Sequence, residues 1–345
     1  MFSVFKIKEK GSIKIIALLI PVLLTFGGSC VRHQPGEKVE VKMMRFEKDL
    51  LDTGAAMLDN EHFSKLRSLY GEFYQSFVRD ILQSDTDDVL NFSQGGIAGF
   101  VRFPAIRLIY HDVDSVYPTL HEQEAALSEA MSWYKVYFPS QRIPVFVSFI
   151  SEFSVANAAF DTIIGIGLDM YVGAHYAPYK ALDFPLFMIN KLRKEYLVSN
   201  TVKTLVTSRF ENQLKDRRML ANMLFEGKVR YAMKKLLPHT DDSIIFGYTA
   251  KQMTWCSQNE HEIWAHLLEK KLLFSDEATL YMRYLNDGPF TSAPGVPNES
   301  APAIGIFAGY KIIDTYMSKH SELKLSELMS DNNWDHILKE SAYRP

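Results

Sequence analysis

The chain has 345 residues, of which 47% are apolar, 23% are charged and 13% are aromatic, and its formal net charge is −3. This composition excludes a disordered chain, a collagen-like repeat and a disulfide-rich miniprotein, and it leaves too few long apolar stretches for several membrane spans. Without a basic excess, a nucleic-acid partner is not predicted.

The first segment, residues 1–29, has the layout of an export signal. Basic residues between Lys6 and Lys14 precede a short apolar run from Ile15 to Phe26, and the small residues Gly27–Ser29 follow. This order is typical of a secretory signal peptide, and the apolar run is short for a membrane-spanning helix. The segment carries a charge of +3, so the rest of the chain carries −6.

Cys30 follows the small residues directly, an arrangement similar to a bacterial lipoprotein signal, in which the cysteine is acylated and becomes the mature N-terminus. Several acyl chains on one residue give stable membrane anchoring. We therefore predict a lipid on Cys30, a polar tether over residues 30–42, and a periplasm-facing location on the inner or the outer membrane. The alternatives are an ordinary signal peptide or an uncleaved anchor.

Apolar residues at helical spacing follow the tether. They predict helices over Phe46–Leu58, His62–Leu82 and Leu120–Tyr137, with Thr119 as the N-cap of the last. Residues 94–118 contain three glycines and two prolines and are predicted to be a mixed segment.

In the middle of the chain the predicted secondary structure changes from helix to strand. Ile143–Ile150 is β-branched and aromatic and predicts a strand, and Ser154–Ala159 with Thr162–Gly167 predicts a hairpin. Gly165 and Gly167 lie inside the second hairpin strand, where glycine indicates a bulge or a close backbone approach.

The chain from residue 185 onward is predicted to be almost entirely helical, apart from a loop over residues 287–302 whose length suggests a functional role. The predicted helices are Pro185–Val198, Val202–Glu211, Arg217–Leu237, Glu260–Leu273, Asp276–Leu285 and Ile304–Ser318. Composition marks no domain boundary. We predict an α+β fold: a mainly helical single domain over residues 43–345 with a small central sheet.

Sequence motifs for catalysis are missing. A zinc peptidase helix needs His-Glu-x-x-His, but the segments that begin at His121 and His261 have alanine where the second histidine should stand. The serine-hydrolase elbow, the phosphate-binding loop and the dinucleotide fingerprint are also missing. Cys256, between aromatic neighbours, is interpreted as a buried and inert thiol. We predict no metal, no cofactor and no catalytic residue.

The most informative helix spans Asp216–Leu237. It is apolar around much of its circumference, which predicts burial, yet polar residues stand in its middle. Glu226 and Arg230 are four residues apart in the favourable order for an ion pair, and Gly227 suggests close contact with another element. The helix has either one solvated stripe or a polar cluster that faces a pocket.

Short motifs in a fixed order carry a resemblance to a known family. They are Gly167–Gly173 (GLDMYVG), Glu226–Tyr231 (EGKVRY), Trp255–Trp264, Asn286–Thr291 (NDGPFT), Pro302–Met317 and Leu338–Pro345. Behind a lipoprotein signal, this set resembles the gliding motility-associated lipoprotein GldB family of the Bacteroidetes, over essentially the whole mature chain.

The resemblance implies more about fold and chemistry. The family is similar to zinc peptidases of the gluzincin type with a degenerate active-site helix, which places Phe225–Val229 over His-Glu-x-x-His. Only Glu226 then matches, because Phe225 and Val229 stand where the two metal-binding histidines would be. The resemblance therefore implies a zincin-like fold without zinc hydrolysis.

Three functions remain open at this point. The first is a non-catalytic, lipid-anchored envelope protein of gliding motility and of linked secretion, with other envelope or gliding-machinery proteins as partners. The second is an envelope hydrolase with Glu226 as general base, and the third is a peptide- or glycan-binding lipoprotein. In the first function, the former catalytic cleft is a binding or structural pocket, and the residues predicted to line it are Asp169, Tyr171, Glu226, Lys228, Tyr231 and Tyr310.

Overall fold

A computed structural model describes residues 36–52, 60–84, 96–211 and 214–345. The predicted signal peptide and residues 30–35 of the predicted tether, Cys30 among them, lie outside the described residues. Residues 35–345 form one compact unit. Among the described residues, no helix combines the length and the apolar character that a membrane crossing requires.

The sheet has four strands in the order β1-β2-β4-β3. These are β1 (Met43–Arg45), β2 (Val145–Phe149), β3 (Asn157–Phe160) and β4 (Ile163–Gly167). β1 and β4 each pair parallel to β2, and β3 pairs antiparallel to β4. The predicted strand and hairpin are therefore confirmed. Strand β1 was not predicted, because a strand of three residues is too short to show a recognisable sequence pattern.

Gly167 shows why β4 contains glycines. A Cβ atom at this position would lie 2.0 Å from the carbonyl oxygen of Val155, so another side chain would displace the loop. A Cβ atom at Gly165 would lie 2.9 Å from the ring of Phe149. The predicted close backbone approach is confirmed at Gly167, whereas at Gly165 the space is filled by aromatic side chains.

Helices of the first half surround the sheet. They are α1 (Phe46–Leu51), α2 (Asn60–Tyr70), α3 (Glu72–Ser76) continued by a π-helical turn (Phe77–Ile81), α4 (Gly96–Arg102), α5 (Pro104–Val116) and α6 (His121–Tyr137). The single helix predicted from residue 62 to 82 is wrong, because Gly71 adopts a φ of +51° that breaks it. Thr119 is not the N-cap of α6, since Leu120 holds that position without a side-chain bond.

Helices dominate the second half as predicted, with different boundaries. A 3₁₀ turn (Leu168–Tyr171) precedes α7 (Ala177–Ala181), α8 (Leu186–Ile189), α9 (Lys194–Phe210), α10 (Met219–Leu236), α11 (Asp242–Phe246), α12 (Ala250–Gln258), α13 (Glu260–Glu269), α14 (Ala278–Tyr281) with its 3₁₀ extension (Met282–Tyr284), α15 (Ile304–Lys319), α16 (Leu325–Ser330) and α17 (Trp334–Ser341). The predicted boundary near residue 200 is wrong, because α9 continues through it, and the predicted helix Pro185–Val198 is instead divided between α8 and the start of α9.

The centre of this half is the contact between α10 and α15. Gly227 on α10 faces Gly309 on α15 so closely that a Cβ atom at Gly227 would lie 2.4 Å from the carbonyl carbon of Gly309. Two buried helices therefore touch backbone to backbone, as the glycine in the middle of α10 predicted. Cys256 on α12 is fully buried, and burial raises the pKa of its thiol to about 12, so it is a packing residue.

Candidate functional site

The middle of α10 carries the predicted ion pair. Arg230 Nη1 donates to Glu226 Oε2 at 3.0 Å, one helical turn apart. The Arg230 side chain is only 5% exposed, whereas the Glu226 side chain is 26% exposed. Arg230 Nε is buried and has no hydrogen-bond partner in the described part of the chain. The Glu226 carboxylate is thus paired with Arg230.

Lys228 points away from Glu226, because two residues turn an α-helix by about 200°. Its ammonium donates to the carbonyl oxygen of Asp331 and lies 4.3 Å from the ring centroid of Trp334 on α17. Burial lowers the pKa of Lys228 to about 8. This lysine fastens the C-terminal helices to α10, with the aromatic ring supplying a cation–π contact.

Tyr231 and Tyr310, two of the residues predicted to line the pocket, contact lysines of α10. The ammonium of Lys235 lies 5.1 Å from the ring centroid of Tyr231, and that of Lys234 lies 5.3 Å from the ring centroid of Tyr310. Tyr310, on α15, also packs edge-to-face against Phe246. Burial raises the pKa of both tyrosines. Both phenols therefore remain protonated near neutral pH. Tyr310 connects α15 to α10 through Lys234, whereas Tyr231 contacts Lys235 of its own helix.

Asp169 and Tyr171 belong to the 3₁₀ turn after β4. The fully buried carboxylate of Asp169 accepts hydrogen bonds from the backbone N–H of Ser151 at 3.1 Å and of Phe153 at 2.7 Å. Phe153 has a φ of +64°, and the carboxylate holds the loop in this strained shape. Tyr171 donates to Asn157. The pair stabilises the end of the sheet.

The pKa of Asp169 is raised to about 6 because burial opposes its charge, and the hydrogen bonds it accepts offset this only in part.

The six residues predicted to share a pocket lie in several separate environments, and none of them is among the residues that line the large cavity described next. Glu226 and Lys228 point to opposite sides of α10, and Asp169 and Tyr171 lie in the 3₁₀ turn after β4.

A cleft of about 940 Å³ opens between the start of α9, the loop after α11 and the loop over residues 287–302; we call it the α9 cleft. Lys191, Lys194, Tyr196, Tyr248, Gln252 and Pro289 are among its lining residues. The long loop predicted to be functional thus contributes one wall. Sequence reasoning missed the cleft residues, although the basic run Lys191–Lys194 was a visible signal.

Charged groups lie beside the α9 cleft. Lys191 Nζ lies 2.5 Å from Asp287 Oδ1, and that same oxygen accepts from the backbone N–H of Gly288 at 2.9 Å. Lys203, on α9, has a pKa lowered to about 8, first by the positive charge of Arg230 and then by burial. Glu226 and Asp287 act in the opposite direction without cancelling this shift, and neither Lys203 nor Arg230 is among the residues that line the cleft.

The positions that resemble zinc ligands carry no donor atoms. Phe225 and Val229 are buried hydrocarbon side chains on α10. Of the histidines in the near-miss motifs, His261 contacts the carbonyl oxygen of Pro345 at 2.9 Å, and His121 begins α6. Within the described ranges, no three His, Cys, Asp or Glu side chains are grouped as a metal site requires.

Comparison with known proteins identifies the family. The family model described as "Gliding motility protein GldB" matches residues 31–345, which is nearly the whole chain. No curated protein and no solved structure matches the chain. Members of this family are gliding motility-associated lipoproteins, which indicates a cell-envelope location. The resemblance predicted from the ordered motifs is therefore confirmed, and the chain belongs to the GldB family of gliding motility proteins.

Proposed function

We propose that the protein is a non-catalytic, lipid-anchored component of the gliding machinery that also serves the linked secretion apparatus. The observation that carries this proposal is the state of α10. If the fold is zincin-like, Phe225 and Val229 replace both metal-binding histidines with buried hydrocarbon, and Glu226 is paired with Arg230 at 3.0 Å. A carboxylate in this state has no metal-bound water to deprotonate.

The lipid anchor completes the proposal. Acylated Cys30, followed by the polar tether to residue 42, would hold the body at the periplasmic face of a membrane. Other envelope or gliding-machinery proteins are the expected partners at that surface. The anchor is tested by growing cells with a labelled fatty acid: the wild-type protein should incorporate the label and Cys30→Ser should not, and equal labelling of both would refute acylation at this position.

The hydrolase alternative makes Glu226 a general base and needs ligands outside the family motif. Metal analysis of the purified full chain separates the two functions, because the proposal expects no stoichiometric zinc. One zinc ion per chain would refute it. Glu226→Gln, which keeps a hydrogen-bond acceptor for Arg230, tests in cells whether function needs the Glu226 carboxylate as a base. Glu262→Gln, on the exposed side of α13, is its matched control.

Ligand binding is the second candidate function, and one observation favours it. The α9 cleft has a volume within the range of small-molecule and peptide sites. Its walls combine the aromatic rings of Tyr196 and Tyr248 with the amide of Gln252, which donates to the carbonyl oxygen of Pro289 at 2.9 Å. Such a mixture of aromatic and polar groups is typical of recognition sites.

A further inference from the structure

The short helix α8 presents apolar side chains to solvent. Leu186 is 71% exposed and Met188 is also exposed, and of the four residues of α8 only Ile189 is buried. Leu182, four residues before Leu186, is exposed as well. We call Leu182, Leu186 and Met188 the α8 rim. Exposed apolar side chains grouped in this way are typical of a surface that binds a protein or a membrane.

The apolar surface continues from the α8 rim onto a neighbouring helix. Leu186 lines the mouth of the α9 cleft together with Val116, an exposed residue at the end of α5. Two segments that are far apart in the chain thus expose apolar side chains at one place on the surface.

Basic side chains flank the α8 rim along the chain. Residues 180–195 contain four basic and two acidic side chains, and one of the lysines, Lys191, lies 2.5 Å from the carboxylate of Asp287. The stretch therefore has a net positive charge, although the chain outside the export signal carries −6. Lys180 and Lys194 are exposed. An apolar surface with basic flanks is typical of segments that lie in the headgroup region of a membrane.

The predicted tether ends near the same surface. The backbone N–H of Val39 donates to Ser132 Oγ at 2.9 Å, so the end of the tether lies against α6. Glu129, about one turn before Ser132 on α6, lines a small cavity together with Lys194 and Glu195 at the start of α9. Val39 and the start of α9 therefore both lie beside the same part of α6, a helix only about 10–12 Å wide.

The tether is also short. Cys30 and Val39 are nine residues apart, a distance that a fully extended chain spans in about 30 Å. A lipid on Cys30 would keep Val39, and with it the start of α9, within that distance of the membrane. A body held so near the bilayer meets it at a high effective concentration, so a second contact that is weak on its own still persists.

We propose that the α8 rim docks on the phospholipid surface of the membrane that holds Cys30. The apolar side chains of the rim enter the headgroup region, and Lys194 contacts lipid phosphate groups. This docking rests on the proposed lipid anchor and adds a second, non-covalent contact to it. Two attachment points fix the orientation of the body and place the mouth of the α9 cleft at the membrane.

The test measures whether the α8 rim touches lipid. The full chain carries a fluorophore at Ala181→Cys, beside the rim at the end of α7, and is reconstituted in vesicles of phosphatidylethanolamine and phosphatidylglycerol with a nitroxide quencher at headgroup depth. The matched control carries the fluorophore at Ala265→Cys, an exposed alanine of α13. We expect strong quenching of the first label and little quenching of the second.

Two variants of the labelled protein show whether the rim itself makes the contact. Leu186→Ser should lower the docking equilibrium constant at least about tenfold, because it removes the burial of a leucine side chain. Lys194→Gln should lower it about fivefold, the contribution of one lysine near an anionic surface. Leu268→Ser, at an exposed leucine of α13, is the control and should leave the quenching unchanged.

Docking is overturned if the labels at Ala181→Cys and Ala265→Cys are quenched equally or not at all, a result that would indicate a protein partner for the rim. It is also overturned if Leu186→Ser and Leu268→Ser reduce quenching equally. The anchor is scored separately on the wild-type chain, which should take up no fluorophore because Cys30 is acylated and Cys256 is buried. Labelling of the wild type would overturn the anchor, and the docking that rests on it.

Discussion

Gly309 offers the most direct test of the packing that positions α10. We consider the change Gly309→Ala, which adds one methyl group where α15 crosses α10. An ideal Cβ atom at this position would lie 2.0 Å from the carbonyl oxygen and 2.7 Å from the carbonyl carbon of Met223. These are backbone atoms, so no side-chain rotation can relieve the contact, and the two helices must separate by about 1 Å or more to restore ordinary contact distances.

The energetic consequence has two opposing parts. Overpacking a core typically costs about 1–3 kcal/mol, and a contact against rigid backbone belongs at the upper end of that range. Replacing glycine by alanine inside a helix gains about 1 kcal/mol at most. We therefore expect Gly309→Ala to lower the free energy of unfolding by about 2 kcal/mol.

Urea denaturation of the purified full chain in non-ionic detergent measures this loss. The control is Gly99→Ala on α4, where an added Cβ atom meets nothing within 4 Å. The control should gain stability, by up to about 1 kcal/mol, because it receives the helix propensity of alanine without a clash. Our account of the crossing is refuted if Gly309→Ala is as stable as the wild type, or if Gly99→Ala loses as much.

Two other expectations concern stability. Asp169→Asn removes a buried carboxyl group whose pKa in the folded protein is raised to about 6. Because the folded wild type binds the proton of this carboxyl group more tightly than the unfolded chain does, the free energy of unfolding of the wild type should fall as pH rises from about 4 to 7. The fall should reach up to about 3 kcal/mol relative to the variant. Denaturation at both pH values measures this difference, and a pH-independent difference would contradict it. Trp334→Ala empties the site above Lys228 and should cost about 3–5 kcal/mol in urea denaturation, while Trp334→Phe should cost less; equal losses would show that the ring is not needed.

Local patterns predicted the parts of the fold that depend on neighbouring residues. The hairpin of β3 and β4 was predictable because its strands are adjacent in sequence and turn at Asp161, which has a φ of +41°. Helix α10 was predictable because its apolar residues cover most of its circumference. Strand β1 was not, since Met43 pairs with Phe146 across about a hundred residues of chain and only three residues take part.

The candidate site was harder to predict because it depends on which helices meet. Residue type and position in α10 singled out both Glu226 and Lys228, but the direction of each side chain around the helix separates them. The walls of the α9 cleft come from segments that are far apart in the chain, such as Lys194 and Pro289, so no local pattern marks them as one site. The ion pair between Glu226 and Arg230 was predicted because four-residue spacing within one helix fixes it locally.

The central claim is that this member of the GldB family acts in gliding without catalysis by Glu226. The measurement that tests it most directly is the gliding speed of cells whose own gene is replaced by the Glu226→Gln form, compared with Glu262→Gln cells at matched protein levels. We predict wild-type speed for both strains, since the amide oxygen introduced by Glu226→Gln still accepts a hydrogen bond from Arg230. Loss of gliding in the Glu226→Gln strain alone, with the protein folded and anchored, would contradict the claim.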